Sequence, residues 1–310
     1  MDRELYFDEQ QLKKFRIYTI FTKIFTYSFL VLLALFIIIP FYWMIITSLK
    51  PTSEVISQNV TFFPKNLNFA AYKEILFGIN KIPLFSMYMN TILVGFFTTS
   101  LTIVSVIFAA FAFSRLKFKG RELIFSILLM TMMIPGEIFV ITNYMTVNIL
   151  GWSRVPEGAP LIDIIGNYAA LILPFVGSVF YTFYLRQTFR QIPNELYLAA
   201  KVDGLGDFKY LFRVMVPIAK STIITIVILS MIGTWNAYVW PSLITANKNL
   251  FLVSNGLNEA FRGTIELSGP NSVLNQQMAG SAMVTLPLLI VFFILKDYIM
   301  KGVSRSGIKG

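Results

Sequence analysis

The chain has 310 residues, of which 56% are hydrophobic and 14% charged, with a formal net charge of +10. A soluble domain of this length carries nearer a quarter charged residues, so the composition belongs to an integral membrane protein. With no Cys and no His, disulfides, thiol chemistry and the usual zinc, copper and haem ligands are excluded, and the commonest general base is missing. The basic residues flank apolar runs and form no single patch, which argues against nucleic acid as a partner.

Residues 1–23 read as a cytoplasmic arm. The opening MDRELYFDEQQ is acidic and polar, unlike the basic start of a signal peptide. Leu12, Phe15 and Tyr18 then follow helical spacing beside Lys13, Lys14 and Arg16, the pattern of a short helix on a membrane surface. Six apolar runs follow, near 24–48, 89–114, 122–147, 167–187, 218–240 and 278–299. Each is long enough to cross hydrocarbon, which takes about 20 helical residues. Pro40, Pro135, Pro174 and Pro287 lie inside these spans and should kink or unwind them locally. The stretch 49–88, with Phe62, Phe63, Pro64 and Tyr72, is too polar to span and too apolar for a free linker. Short helices folded back over the bundle are expected there. The arm, the second loop, the fourth loop with the span ends that flank it (Arg186, Arg190 and Lys220 included) and the tail from Lys296 hold nineteen of the 26 Lys and Arg, and the other three loops hold seven. That bias places both termini and the fourth loop in the cytoplasm. One membrane domain, 24–299, followed by a cytoplasmic tail, 300–310, is the expected organisation.

Glu137, just after Pro135-Gly136, is the one carboxylate deep in a span. An intramembrane acid is a candidate for binding a cation or polar substrate; a cap on the broken helix, or a group facing water, fits the position equally. Asn90, Asn143, Asn167 and Asn236 suit either a sugar's hydroxyls or bonds between helices. Trp235-Asn236, followed by Tyr238, Trp240 and Pro241, suits sugar rings or an interfacial aromatic belt. In the tail, Ile308 stands where a phosphate-binding loop requires Lys, so no ATP site is expected. No catalytic constellation is visible, and the chain is not expected to be an enzyme.

The fourth loop, Gln191 to Ser221, reads as two short helices hinged at Gly204. Asn194 is the expected N-cap, with Glu195 in the first turn where a carboxylate suits the helix dipole. Gly204 is placed to stop the first helix with positive φ. Asp207 is placed to cap the second, and Pro217 to end or kink it. Leu196, Tyr197, Leu198, Ala199, Ala200 and Val202 make the first helix apolar nearly all round, so something must cover it. Ala199 and Ala200 leave room for a partner's backbone.

This segment resembles the EAA loop of permease subunits of binding-protein-dependent ABC importers. That motif is Glu-Ala-Ala, three residues, Gly, nine residues, then apolar-x-apolar-Pro. Ala199, Ala200, Gly204, Val214, Val216 and Pro217 fall in register. Leu198 stands in place of the Glu, and Glu195, one turn earlier, offers the acidic group. Asp203-Gly204 is typical of the carbohydrate branch. Trp235-Asn236 to Trp240-Pro241 resembles a turn of maltose-type permeases, and Phe111 to Phe118 resembles the inner end of their second span. The tail, Gly302 to Gly310, is similar to that of the MalG-like subunit, with Ser306 and Gly307 replacing Gly-Ala.

The resemblance implies an all-α integral membrane fold of the type I importer permease, with six transmembrane helices and a cytoplasmic coupling helix. It implies a sugar importer, with an oligosaccharide as the expected cargo, in a bacterial or archaeal inner membrane. Implied partners are a second permease, two ABC ATPase subunits that hold ATP and Mg, an extracytoplasmic sugar-binding lipoprotein or periplasmic protein, and membrane lipid. This chain itself would bind no cofactor and no metal. Glu195, Leu198, Ala199, Ala200, Asp203, Gly204 and Pro217 would couple to the ATPase. Glu137, Asn143, Trp235, Asn236 and Tyr238 are candidates for the substrate path. In the outer loop 247–277, Asn255, Gly256, Phe261 and Arg262 are candidates for contact with the binding protein. Glycerol phosphate or another non-sugar is the alternative cargo. A secondary transporter is the rival class, for which Glu137 is the one midplane carboxylate and no sequence repeat is evident.

Overall fold

The computed structural model describes residues 9–57, 59–77, 83–262 and 273–304, with no strand among them. The expected single membrane domain resolves into two compact units, Met1–Ile79 with Thr264–Ala282, and Asn80–Gly263 with Met283–Gly310.

The first unit is built on a 40-residue helix, Glu9–Ser48 (α1). From Glu9 onward the arm forms no separate surface helix but runs unbroken into the first span. No Gly or Pro occurs before Pro40 to stop it, and Pro40 itself lies within the continuous helix. Its apolar side chains stay uncovered, Phe21 and Phe36 being 69% and 76% exposed. A helix apolar all round and not buried by its own chain has the character of a membrane span, covered by lipid or by another apolar surface. Two short helices, Thr52–Val55 (α2) and Ala70–Phe77 (α3), follow in the expected stretch. Lys50, buried, donates to Thr61 O at 2.5 Å and lies 5.0 Å over the Trp43 ring. Glu54 accepts from Thr61 Oγ1 at 2.5 Å and from the Lys65 amide at 3.2 Å.

In the second unit the central helix is Leu84–Ser114 (α4). The expected third span is not one helix. It divides into Arg121–Thr131 (α5) and Ile138–Ile149 (α6), each too short to cross hydrocarbon alone. Pro135 lies in the break; it supplies no N–H and disfavours helix at the residue before it. Leu161–Ile172 (α7) passes through a 3-10 turn at Pro174 into Val179–Gln191 (α8), with a bend of 49°. The carbonyls freed by this bend are recovered by α4: Thr102 Oγ1 donates to Phe175 O at 3.2 Å and Ser105 Oγ to Val176 O at 2.8 Å. Asn194–Val202 (α9) and Asp207–Tyr210 (α10) come next. A π-helical turn, Leu211–Met215, and Val216–Ile218 (α11) then lead to Lys220–Trp235 (α12), across a bend of 79°. The expected fifth span therefore ends at Trp235, and Val239–Ile244 (α13) and Val253–Ala260 (α14) are separate helices.

The last helix, Leu274–Ser304 (α15), contains Pro287 without a break. Its first residues belong to the first unit, where Asn275 Nδ2 donates to Lys50 O at 3.2 Å. The rest belongs to the second, where Met283 O accepts from Tyr88 OH at 2.9 Å. Helices α1, α4 and α15 are each long and apolar enough to cross a membrane.

The Thr61 hydroxyl bond holds the Glu54 carboxyl below the ordinary glutamate range. A depressed folded-state pKa gives stability that is fully present above the unfolded value, about 4.3, and is lost as pH falls through the folded one. Protease nicking between Val55 and Phe69 is expected to stay flat from pH 7 to 5 and to rise only in stronger acid. In Glu54→Gln it should already be high at pH 7, and equal rates for the two proteins at pH 7 would refute the anchor.

Candidate functional site

The helix α9 has nine residues, too few to be stable alone. It is held from below by a buried cluster that includes Ala110 and Phe111 of α4, Leu185 and Phe189 of α8, Tyr210, Met215 and Ile226. Ala200 is 6% exposed and belongs to that cluster, with Tyr197 packed against it. The Tyr197 and Tyr210 rings meet edge to face at 5.0 Å. Ala200 thus packs against its own chain and leaves no room for a partner, contrary to expectation. Glu195, Leu198, Ala199 and Val202 follow i, i+3, i+4, i+7 spacing and all face outward. Leu198 is 56% and Val202 88% exposed. Covering both would contribute about 1.5–3 kcal/mol each.

The turn that ends α9 is a Schellman motif. The Gly204 N–H donates to Lys201 O at 3.1 Å and the Leu205 N–H to Ala200 O at 2.8 Å. Gly204 takes φ +75, as its position in the sequence predicts, and Asp203 is the exposed C-cap beside it. Two capping expectations fail. Pro193 adopts the extended N-cap conformation, so Asn194 becomes the first helical residue and its side chain caps nothing. Gly206 takes the N-cap position of α10, which frees the Asp207 carboxylate to reach back to α9. There it accepts from Tyr197 OH and pairs with Lys201 Nζ, both at 2.7 Å. Pro217 lies exposed in α11; lacking an N–H and crowding the carbonyl four residues earlier, it accounts for the π-turn and the bend that follow.

Two arginines fix the loop's foundations, and in the sequence they count only as positive charges beside the loops. Arg115 Nη2 donates to Phe189 O at 2.9 Å and Ile192 O at 2.5 Å, closing the C-terminus of α8. Arg186, 3% exposed, donates from Nε to Phe113 O at 3.0 Å and from Nη2 to Glu122 Oε2 at 2.7 Å, with its guanidinium 3.9 Å from the Phe125 ring. It ties α8 to the end of α4 and the start of α5.

The other expected sites divide. Trp235 is engaged, its Nε1 donating to Val284 O at 3.2 Å and its ring stacked on Tyr88 at 5.8 Å. Asn236 is the exposed C-cap of α12, and Tyr238 OH donates to Asn258 Oδ1 at 3.0 Å. Glu137 is exposed at the N-cap position of α6 without a side-chain cap bond, and Asn143 is half-buried on the same helix. Asn90 and Asn167 join chain segments: Asn90 Nδ2 donates to Asn249 O at 2.7 Å, and Asn167 Nδ2 to Trp152 O at 2.9 Å and Ile244 O at 3.0 Å. Asn255 and Gly256 are not available to a partner. Asn255 is 3% exposed and accepts from the Leu252 amide at 2.8 Å, while a Cβ on Gly256 would meet Met87 Cε at 2.5 Å. Phe261 is half-buried and engaged; Arg262 is exposed and pairs with Glu259 at 3.1 Å. The tail from Arg305 onward, and residues 263–272 of the outer loop, lie outside the described residues.

Residues 101–305 match the family model described as binding-protein-dependent transport system inner membrane component. The arabinooligosaccharides transport system permease protein AraQ of Bacillus subtilis is 30% identical, over 91% of this chain and 94% of its own. The sn-glycerol-3-phosphate transport system permease protein UgpE of Yersinia pestis is 26% identical, over 91% and 96%. A chain in the crystal structure of a bacterial ABC transporter involved in the import of the acidic polysaccharide alginate superposes with a TM-score of 0.74, at 22% identity over 91% of this chain and 96% of that one. Its fold is thus shared with this chain.

Lysine in place of Arg186 keeps the charge and loses the planar fork that serves Phe113 O and Glu122 together. Arg186→Lys is expected to cost about 1–3 kcal/mol in the thermal unfolding of the purified protein. Glu122→Gln should cost less, because Glu122 is 57% exposed and water replaces its partner. The reverse order would show that the carboxylate carries the anchor.

Proposed function

The chain belongs to the family of binding-protein-dependent transport system inner membrane components, and from that premise we propose that it is one of two permease subunits of a sugar ABC importer, with an oligosaccharide as cargo. The observation that carries the reading is the outward stripe of α9. Leu198, Ala199 and Val202 form an apolar, uncovered face on a helix pinned rigidly to the inner ends of α4 and α8. A surface of that kind is covered by a partner. Here the partner is an ABC ATPase subunit, one of a pair that holds ATP and Mg. Closure of the pair on ATP pushes α9, and the spans move with it because its inner face belongs to their shared core. The two permeases then rock between inward and outward access. The charge bias puts α9 and both termini on the cytoplasmic side. On the other side an extracytoplasmic binding protein delivers the sugar, and Phe261 and Arg262 are the remaining contact candidates. The similarity to an arabinooligosaccharide permease exceeds that to a glycerol phosphate permease, 30% against 26%, and Asp203-Gly204 follows the carbohydrate pattern.

Gly204 is where this reading is most exposed to test. A side chain there meets nothing within 4 Å, so the cost is backbone strain at φ +75, about 1 kcal/mol for Ala. Gly204→Ala should therefore transport slightly less than wild type. Gly204→Asp adds a charge beside Asp203 inside the docking face, where an unpaired buried charge costs several kcal/mol. Normal membrane levels, lost uptake and ATPase subunits that wash off are expected. Leu198→Glu restores the motif's acidic residue but removes an apolar contact from the same face, so it should lower uptake less than Gly204→Asp. Wild-type uptake by Gly204→Asp at matched expression would mean that α9 is not the coupling element.

A further inference from the structure

We propose that the cleft between α4, the break joining α7 to α8, and α12 is a subsite for one ring of a neutral sugar on its way through the importer. The proposal rests on the sugar-importer reading and goes beyond it by placing cargo on this subunit. The cleft has a volume of about 370 Å³, within the range of about 300–1,000 Å³ usual for small-molecule sites. Its walls include the Tyr181 and Trp240 rings and the hydroxyl residues Thr98, Ser178 and Thr234, and no lining residue is charged. A sugar ring offers apolar C–H faces to aromatic side chains and hydroxyls at its edge to side-chain hydroxyls. A phosphate ester would call for Lys or Arg, and neither lines this cleft.

Two observations mark the cleft as more than a packing gap. Thr98 lines it, is 5% exposed, and its Oγ1 has no hydrogen-bond partner among the described residues. Helical threonines nearby satisfy themselves on the carbonyl four residues back: Thr91 on Met87 O at 2.8 Å, Thr225 on Ser221 O at 3.0 Å and Thr234 on Ser230 O at 3.2 Å. In hydrocarbon an unsatisfied buried hydroxyl is costly, and because Thr98 is a lining residue of the cleft, a hydroxyl-bearing ligand seated there could supply the missing partner after a small side-chain adjustment. The second observation is Gly233, inside α12, where an added Cβ would meet nothing within 4 Å. Glycine is a poor helix former and no close packing demands it here, yet its missing side chain widens the cleft. The bend at Pro174 that shapes the opposite wall has the form of the interrupted helices that line transporter binding sites.

The chain has no Cys, so Thr98→Cys introduces its one thiol. The complete importer is reconstituted in liposomes, and labelling of this chain by a methanethiosulfonate reagent is followed by mass during turnover. A panel of labelled oligosaccharides that includes arabinotriose and maltotriose is compared with glycerol 3-phosphate. Transported sugar is expected to slow labelling roughly tenfold, and glycerol 3-phosphate to leave it unchanged. In parallel, Gly233→Leu, whose Cβ meets nothing within 4 Å and which adds bulk at the cleft wall, should lower sugar moved per ATP hydrolysed at least about fivefold. Stimulation of hydrolysis by loaded binding protein should persist, and Gly233→Ala should transport nearly normally. Labelling indifferent to sugar, with Gly233→Leu transporting at the wild-type rate, overturns the subsite and leaves the importer reading standing. Labelling blocked in liposomes with or without sugar, and restored by delipidation, means that lipid fills the cleft and also overturns it. A wild-type importer that moves glycerol 3-phosphate and no sugar overturns both.

Discussion

A nine-residue helix that leaves one face bare has little surface left with which to hold itself in place. Helix α9 meets this constraint by concentrating its own-chain contacts into Ala200 and Tyr197, and by closing its end with two backbone bonds at Gly204. Ala200 is small enough to bring the α9 backbone close to α4 and α8, and Leu205 packs on the same cluster from beyond the turn. The Asp207 carboxylate ties the second helix back to the first through Tyr197 and Lys201. That tie is half-exposed and worth little in stability. Its value is geometric, since it fixes the angle at which Leu198 and Val202 are offered. The elbow is therefore rigid although few of its residues are buried.

The same economy runs through the spans. Hydrocarbon offers no water to a broken backbone, so each interruption needs an internal partner. The bend at Pro174 finds it in Thr102 and Ser105 of α4, and the chain turn before α9 finds it in Arg115. Arg186 serves the corner where α4 ends and α5 begins. Basic residues counted toward an orientation in the sequence are here also the donors that finish helix ends. Charge counting captures the first role and is blind to the second.

What could be read from the sequence follows from which signals are local. Positive φ at Gly204 and the kink at Pro217 depend on one residue's own stereochemistry, and both occur. The short helices of the 49–88 stretch were likewise legible from composition. Asn194 and Asp207 as caps were not, because Pro193 and Gly206 compete for the same positions and win. Asn255-Gly256 reads as an open polar loop, yet its amide closes a buried turn and its glycine admits Met87. A polar residue beside a glycine looks alike in sequence whether water or a neighbouring helix surrounds it. The inward face of Ala200 was hidden for the converse reason: an alanine suits a partner's backbone and the chain's own core equally well.

Helix α8 connects the cleft to the buried cluster that carries α9. Its first turn, from Ser178 to Tyr181, stands at the cleft, and its last, with Leu185, Phe189 and the following Ile192, lies in the cluster that carries α9. Thirteen residues make a rod about 20 Å long. No proline or glycine interrupts it between those points, so it transmits displacement without bending. Helix α4 runs beside it in the same way, with Val94 and Thr98 at the cleft and Val106 to Phe111 in the cluster. A push on α9 of the kind proposed would therefore be received by two helices that also form walls of the cleft. The third wall, α12, starts beyond the 79° bend at Ala219, and Ala219 is itself buried in the cluster. The same push thus bears on α12 at a bend, where its angle to the loop is set by a few backbone torsions. On the proposed docking, movement of α9 would change the angle between one wall and the other two, and a force applied at the loop would so reach the cavity.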